Sequence, residues 1–206
     1  MRSTHSTVRA KTAFLLASGL REPLEQRYFD LIVEAASTEC LEPHVDLLLA
    51  RPKELPPELV AKIAECVPGM FPMSTQLFDA ARVLPALDEP IAALLVHRHG
   101  ETRQRACRSL SVYTADDLRR VDALLRRALE LASSPDVLPN LVLLLQRTRS
   151  AVKRDSTLAK DPSLRPLVQG AGFQSLCAAL LTKAATFGDE AQARLAPKLA
   201  AVGYTG

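Results

Sequence analysis

Residues 136–153 read DVLPNLVLLLQRTRSAVK, and the class of the whole chain turns on whether Leu141 to Leu145, at the centre, form a buried strand or the middle of a helix. Periodicity alone does not separate the two for a short apolar run. Composition does. The run is leucine-rich with a single β-branched residue, Val142, whereas strands favour β-branched and aromatic side chains. It also passes into Gln146 and Arg147 with no turn residue between. The stretch is therefore read as a helix from Asp136 to about Lys153, apolar on every side at its centre and so packed between neighbours.

Helical signals continue on both sides. Upstream, Thr114-Ala115-Asp116-Asp117 forms a cap and an acidic first turn for a helix reaching about Ala132. Leu118, Val121, Leu124, Leu125, Ala128 and Leu131 fall on one side of it, and Arg119, Arg120, Arg126 and Arg127 on the other. Downstream, Asp161-Pro162 starts a short helical turn that Gly170 and Gly172 interrupt. Phe173 to Thr186 and Asp189 to Val202 then form a closing hairpin joined at Gly188, alanine- and leucine-rich as the cap of a helical stack would be.

Toward the N-terminus the punctuation is proline, with only 8 glycines in 206 residues. Glu22-Pro23, Glu42-Pro43, Pro56-Pro57, Glu89-Pro90, Ser134-Pro135 and Asp161-Pro162 each offer a proline for a first helical position, where its missing N–H costs nothing. Helices are expected from Glu22 to Ala36, Pro43 to Ala50, Pro56 to Cys66, Ser74 or Thr75 to Val83, and from Asp88 to a stop at His97–Gly100. The expectation is an all-α fold: stacked antiparallel helical hairpins in a short solenoid-like array of about 10–12 helices, residues 22–206 making one domain. A boundary, if the chain has one, falls near Lys153 to Pro166.

Pro23, Pro57 and Pro90 stand 34 and 33 residues apart, the period of a helix-hairpin repeat. With the leucine-rich short helices and the basic start, this spacing resembles the α-helical repeat proteins of organelles, the group that includes octotricopeptide and FAST-kinase-like arrays and HEAT-like adaptors. The resemblance covers about half the chain and implies a binding scaffold. The register lapses after residue 100, so none of those families' base-reading positions transfers to this sequence.

The net charge of +3 conceals segregation. Residues 1–21 carry four basic and no acidic residues, 22–96 five basic and thirteen acidic, 97–160 thirteen basic and seven acidic, and 161–206 four and three. The acid-free start, with Arg2, Arg9, Lys11 and Arg21 around Ala13 to Ala17, has the composition of a mitochondrial presequence or of a first helix. A matrix location follows from the first reading and a cytoplasmic one from the second. The run Leu141 to Leu145 is far too short to span a bilayer.

Among the thirteen cations of 97–160, eleven are arginines. Arginine's planar fork suits phosphate and carboxylate alike. Arg103, Arg105, Arg108, Arg119, Arg120, Arg126, Arg127, Arg147, Arg149, Lys153 and Arg154 are the candidate contacts to RNA or to an acidic protein; the bland reading makes them a solvated face paired with Asp116, Asp122 and Glu130. The scarcity of aromatics, at 4%, argues against base stacking.

No catalytic residue, metal site, cofactor or small-molecule substrate is expected. His97-Arg98-His99 beside Cys107 is the one His and Cys cluster, and an i,i+2 pair points to different sides of a helix. Paired acids such as Asp116 and Asp117 sit at helix starts, where the dipole accounts for them. Cys40, Cys66, Cys107 and Cys177 are read as reduced core residues. The sequence points to a non-enzymatic scaffold or adaptor subunit of a larger complex in RNA metabolism or translation, with other protein subunits and RNA as partners. A pure protein adaptor is the alternative, and a HEAT-like nucleic-acid enzyme is a third and weaker reading.

Overall fold

Leucine repeated at helical spacing produces an all-α protein. The computed structural model contains no strand among the residues it describes, which are 29–30, 32–34, 36, 45–67, 75–110, 115–164 and 168–206. After helical residues within 29–36 come α1 (Val45–Leu49), α2 (Pro57–Cys66), α3 (Thr75–Ala81), α4 (Asp88–Leu95), α5 (Gly100–Ser109), α6 (Ala115–Leu131), α7 (Leu138–Arg154), α8 (Ser156–Lys160), α9 (Gly170–Ala185) and α10 (Asp189–Ala201). The expected openings at Pro23 and Pro43, and residues 1–21, lie outside the described residues. None of the described helices is long and apolar enough to cross a membrane.

Proline does two jobs here. Pro57 opens α2 directly, while Pro52, Pro85, Pro135 and Pro162 each open a single 3-10 turn, the last three immediately before or between helices. Pro90 is the third residue of α4 rather than its first, because Asp88 and Glu89 already lie in the helix. The first four N–H groups of a helix have no intrahelical acceptor, so proline is tolerated at either position. Gly170 and Gly172 likewise fall in the first turn of α9 instead of breaking it.

The chain divides into two compact units, residues 1–90 and 91–206. In the first, α1 packs on α3, and the 3-10 turn Pro85–Leu87 sets the fully buried Leu87 against α2 and α3. Phe29, Ile32, Leu48, Leu59, Ile63 and Leu77 supply the rest of its apolar interior.

The second unit is organised around α7, which packs against α5, α6, α8 and α10. Leu138, Leu141, Val142, Leu144, Leu145 and Val152 are buried, so the expectation of a helix enclosed by its neighbours holds, with Leu143 the half-buried exception. Thr148 is also buried; its hydroxyl donates to the Leu144 carbonyl at 3.0 Å, the bond a hydroxyl makes to its own helix when nothing else is in reach. At the end of α7 the Asp155 carboxylate accepts from the N–H groups of Thr157 and Leu158 at 2.8 and 3.2 Å and so caps α8. The helices α9 and α10 form a hairpin through Gly188, whose φ of +110° is a conformation an L side chain would strain. Helix α5 is the element that apolar spacing does not announce: among its described side chains only Thr102, Ala106 and Cys107 are buried, in a polar segment.

Candidate functional site

Every candidate cation is in the second unit, but the fold gives them three different settings. In the first, arginine pairs with a carboxylate one turn away on its own helix. Arg126 Nε lies 3.0 Å from Asp122 Oδ2, Arg127 Nη1 2.7 Å from Glu130 Oε2, and Arg105 Nη2 2.6 Å from Glu101 Oε1. All are i,i+3 or i,i+4 pairs on the surface, each contributing about 0.3–0.5 kcal/mol. Arg120 is half-buried and held by an interaction within the chain, as is the exposed Arg108. Arg119 belongs to α6, and its side chain lies outside the description.

In the second setting arginine is a strut. Arg103 Nη1 donates to the carbonyls of His97 and Arg98 at 2.6 and 2.9 Å, tying the α4–α5 connection to α5. Beside it the rings of His97 and His99 lie with centroids 5.2 Å apart and planes tilted by 41°, the His99 N–H donating to His97 Nδ1 and Arg98 Nε to His99 Nε2, both at 3.2 Å. Arg149 lays its guanidinium 5.0 Å over the Phe173 ring and against Gly203, whose φ is +99°. A Cβ at position 203 would overlap that guanidinium. Gln174 completes this corner, donating from Nε2 to the Gly203 carbonyl at 3.1 Å and accepting the Thr205 N–H at 3.2 Å.

The third setting is the solvent side of α7. Leu143, Gln146, Arg147, Ser150, Lys153 and Arg154 line a shallow, open depression of about 540 Å³. Their spacing of three and four places them in one line along the helix, about 16 Å from Leu143 to Arg154. Arg147 and Lys153 make no hydrogen bond or ion pair among the described residues, and Arg154 bonds only through Nε to the Ser150 carbonyl at 3.1 Å. No carboxylate lines the depression. The adjacent acid, Asp155, is occupied by its cap.

Lys153 and Arg154 also answer the negative end of the α7 dipole, but Arg147 is too far from that end for this to explain it. Its positive field reaches inward to Cys107, a buried thiol whose Sγ donates to the Asn140 carbonyl at 3.5 Å. Burial pushes that thiol up from 9.0 to about 11, against the pull of Arg147 and, to a lesser extent, Arg103. A buried thiol with its proton held so firmly does not act as a nucleophile at neutral pH. Cys177, pushed up to about 11 by burial against the opposing charge of Arg149, is inert for the same reason. Among the described residues no three His, Cys, Asp or Glu side chains gather to hold a metal ion.

Of the eleven candidate cations, then, Arg147, Lys153 and Arg154 share one accessible stripe, and Arg103, Arg105, Arg126, Arg127 and Arg149 are engaged elsewhere within the chain. Gln146, Ser150 and Leu143 complete the stripe without having been candidates. The signal for them is in the sequence: positions 143, 146, 147, 150, 153 and 154 repeat with the three-four rhythm of a helix-packing seam. The chain matches no family model, no curated protein and no solved structure, so the geometry above carries the functional reading.

Proposed function

We propose that the protein is a non-enzymatic α-helical scaffold, an adaptor subunit that takes hold of an anionic partner through the cationic stripe of α7. One observation carries the reading: three cations share one accessible line that no acid lines, in a chain whose Arg105, Arg126 and Arg127 on α5 and α6 bond to carboxylates of their own helices. A protein gains nothing for its own stability by leaving such a line unpaired, whereas a partner bringing carboxylates or phosphates gains several charge-assisted bonds at once. The rigid support suits the role, because α7 is fixed on its other sides by four helices. The wider frame we propose is a short array of stacked helical hairpins, for which the α9–α10 pair supplies the pattern.

The test is binding of fluorescent polyglutamate and of a labelled oligouridylate, titrated with salt. The protein should bind at least one of these polyanions at low ionic strength, with affinity falling as salt rises. Arg147→Glu/Lys153→Glu/Arg154→Glu should abolish it, while Arg126→Glu/Arg127→Glu should weaken it two- to threefold at most. Absence of binding to both probes at low salt, or an equal effect of the two variants, would overturn the assignment.

A further inference from the structure

The stripe is more specific than a positive patch. Resting on the reading just given, we infer that its occupant is an acidic amphipathic helix of a partner protein, lying lengthwise along α7 with its acidic first turns over Arg147, Lys153 and Arg154. Four features of the stripe support this occupant.

The first is rhythm. Residues 143, 146, 147, 150, 153 and 154 form a line parallel to the helix axis, the register into which a second helix fits. Carboxylates at i and i+7 on a facing helix repeat along its axis with the spacing of Arg147 and Arg154. The second is relief. Ser150, small and exposed, sits at the middle of the line and lets a partner backbone approach, with the longer Arg147, Lys153 and Arg154 on either side.

The third is polarity along the line. Its N-terminal end is Leu143, half-buried and apolar; its C-terminal end is cationic. A matching helix presents acids at one end and an apolar residue about two turns away. Helices carry acids preferentially in their first turn, where the dipole favours them. The partner therefore runs antiparallel to α7, which also sets the two dipoles in opposition.

The fourth is the absence of aromatic side chains from the lining, which leaves unpaired bases no ring to stack on. Single-stranded RNA would be held by the cations alone and would have no use for Leu143 or for the gap at Ser150.

The experiment uses the full chain and three labelled probes measured by anisotropy at low and at physiological salt. One is a 15-residue helical peptide with glutamates at positions 2, 5 and 9 and leucines at 12 and 13; the second is a scramble of the same composition; the third is a 12-nucleotide oligouridylate. The patterned peptide should bind at least tenfold tighter than its scramble. Arg147→Glu/Lys153→Glu/Arg154→Glu should remove that binding, with circular dichroism verifying that the helix content is retained. Ser150→Trp, which fills the gap without altering charge, should weaken the patterned peptide tenfold or more and should not weaken the oligouridylate, for which it adds a ring to stack on. Equal binding of peptide and scramble, tighter binding of the oligouridylate than of the peptide, or indifference to Ser150→Trp would each overturn the helical occupant while the anion-binding scaffold stands. Failure of all three probes to bind at low salt overturns both.

Discussion

Helices α6 and α7 are each seventeen residues long, lie in the same basic block and pack against one another, yet they treat their cations in opposite ways. On α6, Arg126 and Arg127 have acids one turn away, at Asp122 and Glu130, and the pairs close. On α7, the positions three and four residues from Arg147 are Leu143, Leu144, Ser150 and Ala151, and those from Arg154 are equally free of acids. Residue type therefore says little about the availability of a charge, and the neighbours at helical spacing say much more. A self-paired cation costs a partner the breaking of a bond before a new one forms. An unpaired cation on a rigid helix is already available.

The largest way to break the contrast is to loosen the frame from which both helices are presented. Leu144 is fully buried on α7, and Leu144→Ala should lower stability in urea by about 3 kcal/mol, through lost transfer energy and the cavity left behind. Its neighbour Leu143 lines the stripe and is only half-buried, so Leu143→Ala should cost less than half as much. If the two leucines cost the same, then α7 has no open side and the stripe is not a surface.

A somewhat smaller effect lies beneath Arg147. The Cys107 thiol keeps its proton in the fold up to about pH 11, while in the unfolded chain it ionises from about 9.0. The stability this gives is fully present below pH 9 and is lost as pH rises toward 11, with a total of about 2–3 kcal/mol. Urea midpoints measured between pH 8 and 11 should fall less steeply in Cys107→Ala than in the parent protein. Arg147→Gln removes the largest opposing charge and should leave the onset near pH 9 while extending the decline to higher pH, whereas Arg126→Gln on α6 should change neither. A decline as steep in Cys107→Ala as in the parent would mean that the thiol does not carry it, and one that ends at the same pH in Arg147→Gln as in the parent would mean that Arg147 does not act on the thiol.

Much of this was legible in the sequence and some was not, for physical reasons that differ by element. The leucine run at 141–145, lacking turn residues and nearly lacking β-branched ones, identifies a central helix, and four helices do surround it. Gly188 marks the α9–α10 turn correctly because its backbone conformation excludes other residues. Helix α5 escapes notice because three inward residues in a polar decapeptide make no clear stripe. The roles of Arg103 and Arg149 were hidden for a different reason. Their partners, the carbonyls of a preceding loop and a ring and glycine 24 and 54 positions away, are set by tertiary folding and leave no local pattern. The pairing of α6 against the openness of α7 was legible all along, since it needs only the residues at i±3 and i±4.

Arg149 defines the middle of the scale. Exchanging it for lysine keeps the charge but gives up the planar contact over Phe173, and should cost about 1 kcal/mol in urea. Gly203→Ala should cost about 1–2 kcal/mol, because it strains a left-handed backbone and collides with the same guanidinium. Neither should alter polyanion binding by more than about twofold, which separates a structural arginine from those of the stripe next to it.

The smallest expected change in stability tests the contrast most directly, by converting α7 into a copy of α6. Ser150 stands three residues after Arg147, three before Lys153 and four before Arg154, so Ser150→Glu places one carboxylate within a turn of all three cations. The exposed site has room for the longer side chain, and glutamate is a better helix former than serine. Stability should rise by about 0.5 kcal/mol at low salt, with the gain shrinking as salt is added. Over the same range polyanion affinity should fall at least fivefold, since each incoming acid now competes with a resident one. The matching change on α6, Asp122→Ser, should do the reverse, releasing Arg126, lowering stability by a few tenths of a kcal/mol and modestly raising polyanion affinity. If Ser150→Glu stabilises the fold and leaves binding untouched, the anion is held elsewhere and the openness of α7 has no function. If it weakens binding without stabilising, the glutamate is not reaching the cations, and the stripe is wider than the helical spacing implies.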